Sequence, residues 1–340
     1  MPHDQNTPKD TPQTTQPTNK QRVTRLAPSP TGALHLGNIR TFLINWTLAR
    51  KNKWQIVLRI EDLDSPRVKQ GASDQAIKDL TWLGLDWDRG PYHQLSDINS
   101  YNHPLDALRE KKIIYPCPCS RKEIQLLQSA PQAGSHELRY PGTCKDKHTP
   151  STIDLSDPKY AWRIRVPATP ITITDQFAHT KTFDIAKDIG DFILKSKNAM
   201  PTYQIAVVID DIKHHITDIV RGDDLYHSAA RQSIVYNALQ SVGLASAHRP
   251  NYWHLPLVLG PDRRRLAKRH GDSRLSMYRS AGVNVKFILG LMAYWCQFIP
   301  QKKPIDLKTW YQKFDLNKIS KKPIIMQEED HQWLLTSIKK

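Results

Sequence analysis

The chain has 340 residues, 39% of them apolar, with nine tryptophans and a formal net charge of +16. That is enough apolar material for two or three domains with ordinary cores, and so large a positive charge favours a polyanionic partner, nucleic acid first. With no run of about 18 apolar residues, no secretory leader and no lipid-attachment motif, the chain is expected to work in the cytoplasm, off the membrane; four cysteines are too few for a disulfide scaffold of this size.

Residues 1–20 contain no Phe, Tyr, Trp or branched aliphatic side chain, so they are expected to form a disordered tail. RVTRLA, Arg22 to Ala27, alternates as a short strand and breaks at PSPTG. From Gly37 onward, Ile39, Phe42, Leu43, Trp46 and Ala49 fall on one helix face. QIVLRIED, Gln55 to Asp62, is a second strand, and a helix is expected from Ser73 to Leu83. This strand, turn, helix, strand unit belongs to a doubly wound parallel α/β sheet, which binds ligands outside the carboxyl ends of its strands. Both PSPTGALHLGN and RIEDLD lie at such ends.

The texture changes from Tyr92 to Ala186. A helix, Asn99 to Lys112, leads into Cys117, Cys119 and Cys144, then a loop rich in Pro, Gly and Ser, then short strands in YAWRIRV and TPITITD. It reads as an insertion between the halves of a nucleotide-binding fold. The α/β pattern resumes with MPTYQIAVVIDD and ITDIVRGDDL, followed by a helix near Ser228, a strand from His254 to Gly260, and a largely helical, lysine-rich last 60 residues. The expected organisation is a tail at 1–20, the first half of the catalytic domain at 21–95, an inserted zinc-binding subdomain at 96–186, the second half at 187–260, and a basic loop with a short helical region at 261–340.

A helix that begins just after a tight turn presents unpaired N–H groups and the positive end of its dipole, which suits a phosphate. His35 and Asn38 flank that start and could stabilise phosphorus in a transfer transition state, while Gly32 and Gly37 keep side chains out of the way. A loop that merely caps a helix is the simpler alternative. PDRRRLAKRHGD, Pro261 to Asp272, packs Arg263, Arg264, Arg265, Lys268, Arg269 and His270 into one loop, which alone could be a solvated surface. Three nearby cysteines suit Zn²⁺, with a fourth tetrahedral position to fill. Cys296, in MAYWCQF, is expected in the core.

HLGN and LAKRH resemble the two signature motifs of class I aminoacyl-tRNA synthetases, in order and near the expected separation. Their flanks, RLAPSPTGALHLGNIRT, LRIEDLD, GLDWDRGP, YPCPCSRKE, PTYQIAVVIDD and IVRGDDL, are similar to those of glutamyl-tRNA synthetases, from Arg22 to the mid-330s. A dicarboxylic amino acid needs cationic or donor sites for two carboxylates and an acid for its ammonium; the resemblance puts these on Arg25, Ser29, Glu61, Tyr203 and Arg221. It implies that His35, Gly37, Asn38 and Lys268 serve ATP with Mg²⁺, with His35, Asn38 and Lys268 stabilising charge as glutamate attacks the α-phosphate. It also implies Tyr140 as the fourth zinc ligand beside Cys117, Cys119 and Cys144, with His136 the alternative. HLGN lacks the final histidine of the motif and Ala267 stands where serine is common.

The chain ends about 70 residues after LAKRH, where glutamyl-tRNA synthetases continue into anticodon-binding domains. That length, with C-x-C, Y-x-x-x-C and GDDL, resembles the glutamyl-queuosine tRNA(Asp) synthetases. The resemblance implies an enzyme that activates glutamate without RNA and transfers it to queuosine in the anticodon stem-loop of tRNA(Asp); a monomer is the default expectation, since the oligomeric state is not readable in the sequence. Charging of a tRNA acceptor end and an inactive RNA-binding module remain as alternatives.

Overall fold

The computed structural model describes residues 21–30, 33–63, 68, 70–126, 138–246, 248–264, 266 and 273–339. The expected tail at 1–20, Gly32, His136 and the basic loop from Ala267 to Asp272 lie outside them. In chain order, β1 (Val23–Leu26), α1 (Leu36–Lys51), β2 (Gln55–Ile60), α2 (Ala72–Trp82) and β3 (Arg89–His93) form the first half. The strands of QIVLRI and VTRL are apolar enough to be buried on both faces, as a covered parallel sheet requires. In β3 little is apolar. RGPYH forms an edge strand because Gly90, at φ +97°, lies so close to β2 that a Cβ there would meet the Leu58 carbonyl oxygen at 2.3 Å.

After α3 (Asn102–Glu110) the insertion builds two small antiparallel sheets. Its elements are β4 (Ile114–Cys117), α4 (Arg121–Leu126), β5 (Ala161–Ile164), β6 (Ile171–Ile173), β7 (Lys181–Phe183), α5 (Ile185–Asp188) and β8 (Ile193–Lys195). One sheet has the order β4-β5-β8 and the other is the β6-β7 hairpin. Pairing of β8 with β5 carries this segment past residue 186, a boundary that three residues, ILK, are too few to mark in composition.

The second half contains α6 (Tyr203–Lys213), β9 (Asp218–Gly222), α7 (Tyr226–Ser241), β10 (Asn251–Leu255) and β11 (Val258–Leu259). The strand expected from His254 to Gly260 is broken at Pro256, which has no N–H for a ladder; β11 leaves the main sheet and pairs with β12 (Ile324–Ile325). Helices α8 (Leu275–Ser280), α9 (Val285–Trp295), α10 (Leu307–Lys313) and α11 (Glu328–Leu335) complete the chain. Among the described residues no helix is long and apolar enough to cross a membrane.

The main sheet has the order β10-β9-β1-β2-β3, with every pairing parallel. Strand order reverses between β1 and β9, the crevice in which such sheets bind ligands. One core joins Leu43 and Ile44 of α1 to Leu289 and Met292 of α9, and with them Cys296. The other packs α3, α6 and α7 on the opposite face. The C-terminal helices thus share a core with the helix that carries HLGN.

Candidate active site

His35 is the N-cap of α1. Its Nδ1 accepts from the N–H groups of Gly37 at 3.2 Å and Asn38 at 3.4 Å, while Asn38 Oδ1 accepts from the His35 N–H at 3.1 Å. This reciprocal cap satisfies otherwise orphaned donors and, because Nδ1 is an acceptor, places the proton of the neutral ring on Nε2. Gly37 is needed here: a Cβ would stand 3.0 Å from His35 Cε1 and 3.4 Å from Val258 Cβ. His35, Gly37 and Asn38 all line a pocket at the β1/β9 crevice. The second motif is tied to the first through backbone: Leu36 N–H donates to the Ser273 carbonyl at 3.1 Å and Leu275 N–H to the Leu34 carbonyl at 2.7 Å. Buried Leu266 lines the same pocket. Lys268, which falls between Leu266 and Ser273 in the sequence, is outside the described residues.

Arg25 on β1, Glu61 just past β2, Tyr203 at the start of α6 and Arg221 on β9 line that pocket too. Arg25 and Arg221 sit near the carboxyl ends of their strands, Glu61 directly follows one, and Tyr203 opens a helix. Arg25 is buried and donates to the Val220 carbonyl at 3.3 Å; its Nε lies 3.7 Å from Asp211 and has no hydrogen-bond partner among the described residues. Burial draws the Arg25 guanidinium below its ordinary pKa against the pull of Asp211. Tyr203 is 37% exposed. Ser29 does not line the pocket; it is exposed, and its hydroxyl donates to the Glu61 carbonyl at 3.3 Å, so it reaches the site through the backbone of β2.

Beneath the pocket lies a charge cluster that sequence reading did not assemble. Arg59, 1% exposed, donates to Asp211 at 2.7 Å and to Glu61 at 3.0 Å, and stands 3.8 Å from Asp210. Burial alone would lower its pKa, but Asp211, Glu61 and Asp210 outweigh burial and raise it well above the ordinary value. The pairing of Glu61 with Arg59, which could have meant a purely structural carboxylate, therefore coexists with Glu61 facing the pocket. The two adjacent acids in VVIDD, inside an otherwise apolar helix, were the signal: buried carboxylates need a cation. Arg221 is held on three sides, Nε to His254 Nε2 at 3.1 Å, Nη1 to Gln232 at 2.9 Å and Nη2 to the Leu225 carbonyl at 3.2 Å.

At the insertion, the sulfurs of Cys117, Cys119 and Cys144 lie within 4.8 Å of one another. The Tyr140 hydroxyl is 3.4 Å from Cys117 Sγ and accepts from the Cys144 N–H at 2.9 Å. All three cysteines are free thiols. Burial, followed by the neighbouring sulfurs, pushes Cys119 up to about 12; thiolates so crowded are stabilised by a shared cation. The donor set of three sulfurs and a phenol oxygen fits Zn²⁺. Cys296 is buried in the core, as expected.

Comparison with known proteins identifies the context of this geometry. The family described as tRNA synthetases class I (E and Q), catalytic domain, matches residues 21–333. A Glutamyl-Q tRNA(Asp) synthetase of Rhodopirellula baltica is 43% identical over 276 residues, spanning 77% of this chain and 80% of that protein. Another, from Symbiobacterium thermophilum, is 37% identical and spans 90% of this chain and 96% of its own. A Glutamate--tRNA ligase of Oleidesulfovibrio alaskensis is 34% identical, with 92% of this chain matching 65% of that protein. In fold, the crystal structure of a glutamate tRNA ligase from Elizabethkingia meningosepticum in complex with its amino acid superposes with a TM-score of 0.74 at 24% identity, over 93% of this chain and 69% of that one.

Proposed function

The chain belongs to the class I tRNA synthetases of the E and Q type, and from that premise we propose that it activates L-glutamate and transfers it to queuosine at the wobble position of tRNA(Asp). Enzymes of this class use ATP and Mg²⁺. The observation that carries the reading is convergence: two buried guanidiniums, a carboxylate, a tyrosine and the capped start of α1 line one pocket at the switch point of the sheet. Arg25 and Arg221 take the two carboxylates of glutamate, Glu61 takes the ammonium, Tyr203 closes one side, and Ser29 supports from the rim.

A carboxylate oxygen of glutamate attacks the α-phosphorus of ATP, the bond to the bridging oxygen breaks, and pyrophosphate departs with the electron pair. The Nε2–H of His35 and the amide of Asn38 face the phosphorus as its charge builds, and Lys268 neutralises the departing pyrophosphate. A hydroxyl of the modified nucleoside then attacks the activated carbonyl carbon and AMP leaves. No protein nucleophile takes part, so rate comes from positioning and electrostatics. Cys117, Cys119, Cys144 and Tyr140 would hold Zn²⁺, tying the end of β4 to the loop at 140–144. The enzyme acts as a cytoplasmic monomer on the anticodon stem-loop.

The support for queuosine as acceptor is the likeness to the two Glutamyl-Q tRNA(Asp) synthetases above, at 43% and 37% identity. Incubation with ATP, labelled glutamate and queuosine-containing tRNA(Asp), followed by nuclease digestion, tests it. Label on the wobble nucleoside is expected. Label on the terminal adenosine would refute it and assign acceptor-end charging.

A further inference from the structure

Arg221 lines the pocket, yet two of the side chains that hold it, His254 and Gln232, do not. His254 on β10 offers Nε2 to Arg221 Nε at 3.1 Å. Its other nitrogen, Nδ1, is 2.6 Å from Asp175 Oδ2. Both side chains are completely excluded from solvent. The ring packs against Tyr226, with centroids 4.3 Å apart, and Tyr252, stacked near-parallel at 5.7 Å, and both contacts restrain it.

This chain of bonds has a direction. Arg221 Nε carries a hydrogen and can only donate, so His254 Nε2 must be a lone pair, and the ring hydrogen must sit on Nδ1, facing a carboxylate that can only accept. Asp175 is fixed in turn: Oδ1 accepts from the N–H groups of Phe177 at 2.9 Å and Ala178 at 2.7 Å, while Oδ2 accepts from the backbone N–H of His254 at 3.1 Å as well as from its ring. Burial holds His254 neutral, its pKa down at about 4, which keeps the Nε2 lone pair available. With Gln232 and Leu225 on the terminal nitrogens, the guanidinium is pinned so that the second N–H of each terminal nitrogen is available to a carboxylate.

We propose that Asp175 and His254 are positioning residues for amino-acid recognition: the carboxylate fixes the imidazole tautomer, and the imidazole fixes Arg221. This rests on the reading of Arg221 as a carboxylate anchor. It gives the insertion a part in the pocket, since Asp175 comes from TITD of that segment and reaches the main sheet through a bridge to Tyr252, with Gln176 N–H donating to the Tyr252 carbonyl at 2.8 Å. Lys321 of the C-terminal region bonds the carbonyl of Phe177 and stands 3.6 Å from the centre of its ring, which braces the same turn from outside.

ATP–pyrophosphate exchange by the full chain separates the possibilities. Asp175→Asn places an amide nitrogen where Oδ2 was, which forces the opposite tautomer and sets an imidazole N–H against Arg221 Nε. The KM for glutamate should rise at least tenfold while the KM for ATP stays within twofold. His254→Gln keeps an acceptor near the Nε2 position and should remain within fivefold of wild type, whereas His254→Leu should match Asp175→Asn. Equal rises in both KM values, or no difference between the Gln and Leu variants, would overturn the proposal. Arg221→Ala is the control: an unchanged glutamate KM there would show that the pocket reading itself had failed, while a raised KM there beside a normal Asp175→Asn would sink the positioning role alone. Should the Asp175 variant fail to fold, ¹⁵N spectra of histidine-labelled wild type decide, with the His254 signal identified by its loss in His254→Gln. An unprotonated Nε2 at neutral pH is expected, and a protonated Nε2 would refute the proposal.

Discussion

Replacing Glu61 by glutamine removes one negative charge from the pocket and almost nothing else. The side chain is 12% exposed and accepts from Arg59 Nη2 at 3.0 Å, a bond that a glutamine carbonyl oxygen can keep. Arg59 retains its 2.7 Å bond to Asp211, so the buried guanidinium is not orphaned and folding stability should change by no more than about 1 kcal/mol. A bound ammonium, however, loses its charged partner. A hydrogen bond between ionised groups is worth about 1.5–3 kcal/mol, and each factor of ten corresponds to about 1.4 kcal/mol. The KM for glutamate should therefore rise roughly ten- to hundredfold, with the KM for ATP and the melting temperature near wild type. Pyrophosphate exchange with each substrate varied in turn, beside a thermal melt, measures all three. A glutamate KM within threefold of wild type would refute the role of Glu61, and an equal rise for ATP would show general damage to the site.

Arg25→Ala should abolish exchange while the protein stays folded, because losing a buried charged partner costs about 2–5 kcal/mol of binding; exchange within tenfold of wild type would remove Arg25 from the site. Metal analysis should find one zinc per chain, lost when Cys117, Cys119 and Cys144 are all changed to serine; full retention would place the metal elsewhere. His214 and His254 are both held down at about 4, burial being the first cause in each, with Arg59 and Lys213 adding to it at His214 and Arg221 opposing Asp175 at His254. Unfolded imidazoles titrate near 6.5, so between the two values the unfolded chain binds more protons and stability falls as pH falls, by up to about 1.4 kcal/mol per pH unit for each ring. Urea midpoints from pH 7 to 4 should show this slope and His214→Gln should lessen it; an unaltered slope would clear His214 of any part. Gly37→Ala should preserve the melting temperature, since alanine favours a helix by about 1 kcal/mol over glycine, while the crowded His35 ring cuts the exchange rate tenfold or more; full activity would mean that the approach of Gly37 to His35 is immaterial.

What was legible in the sequence follows from periodicity and local chemistry. The helix carrying HLGN and the strands VTRL and QIVLRI stand close to their expected bounds because their apolar spacing and breakers are both local. RGPYH was not legible as a strand: its place comes from Gly90 lying against Leu58, a contact between elements. The segment His254 to Gly260 looked continuous because its apolar residues are continuous, and a single proline divides it between two sheets. Site residues next to a motif could be named. Those that act from behind it could not be placed: the acids of VVIDD signal buried carboxylates that need a cation, but nothing in TITD or YWHLP indicates that Asp175 and His254 stand behind Arg221.

The opening of α1 shows why the competing readings of HLGN were not alternatives. A loop that only caps its helix would spend both polar side chains on backbone groups, and His35 and Asn38 do make those bonds. Capping, however, uses Nδ1 of the imidazole and the carbonyl oxygen of the amide, both acceptors, so the other nitrogen of each side chain, Nε2 and Nδ2, is the one that carries hydrogen. Because both residues also line the pocket, the same bonds that close the helix fix the chemical character of what remains: donors, at the positive end of a helix dipole. Cap and anion site are thus one arrangement. A residue pair with the opposite division, donors to the backbone and acceptors to the pocket, would cap nothing and would repel a phosphate.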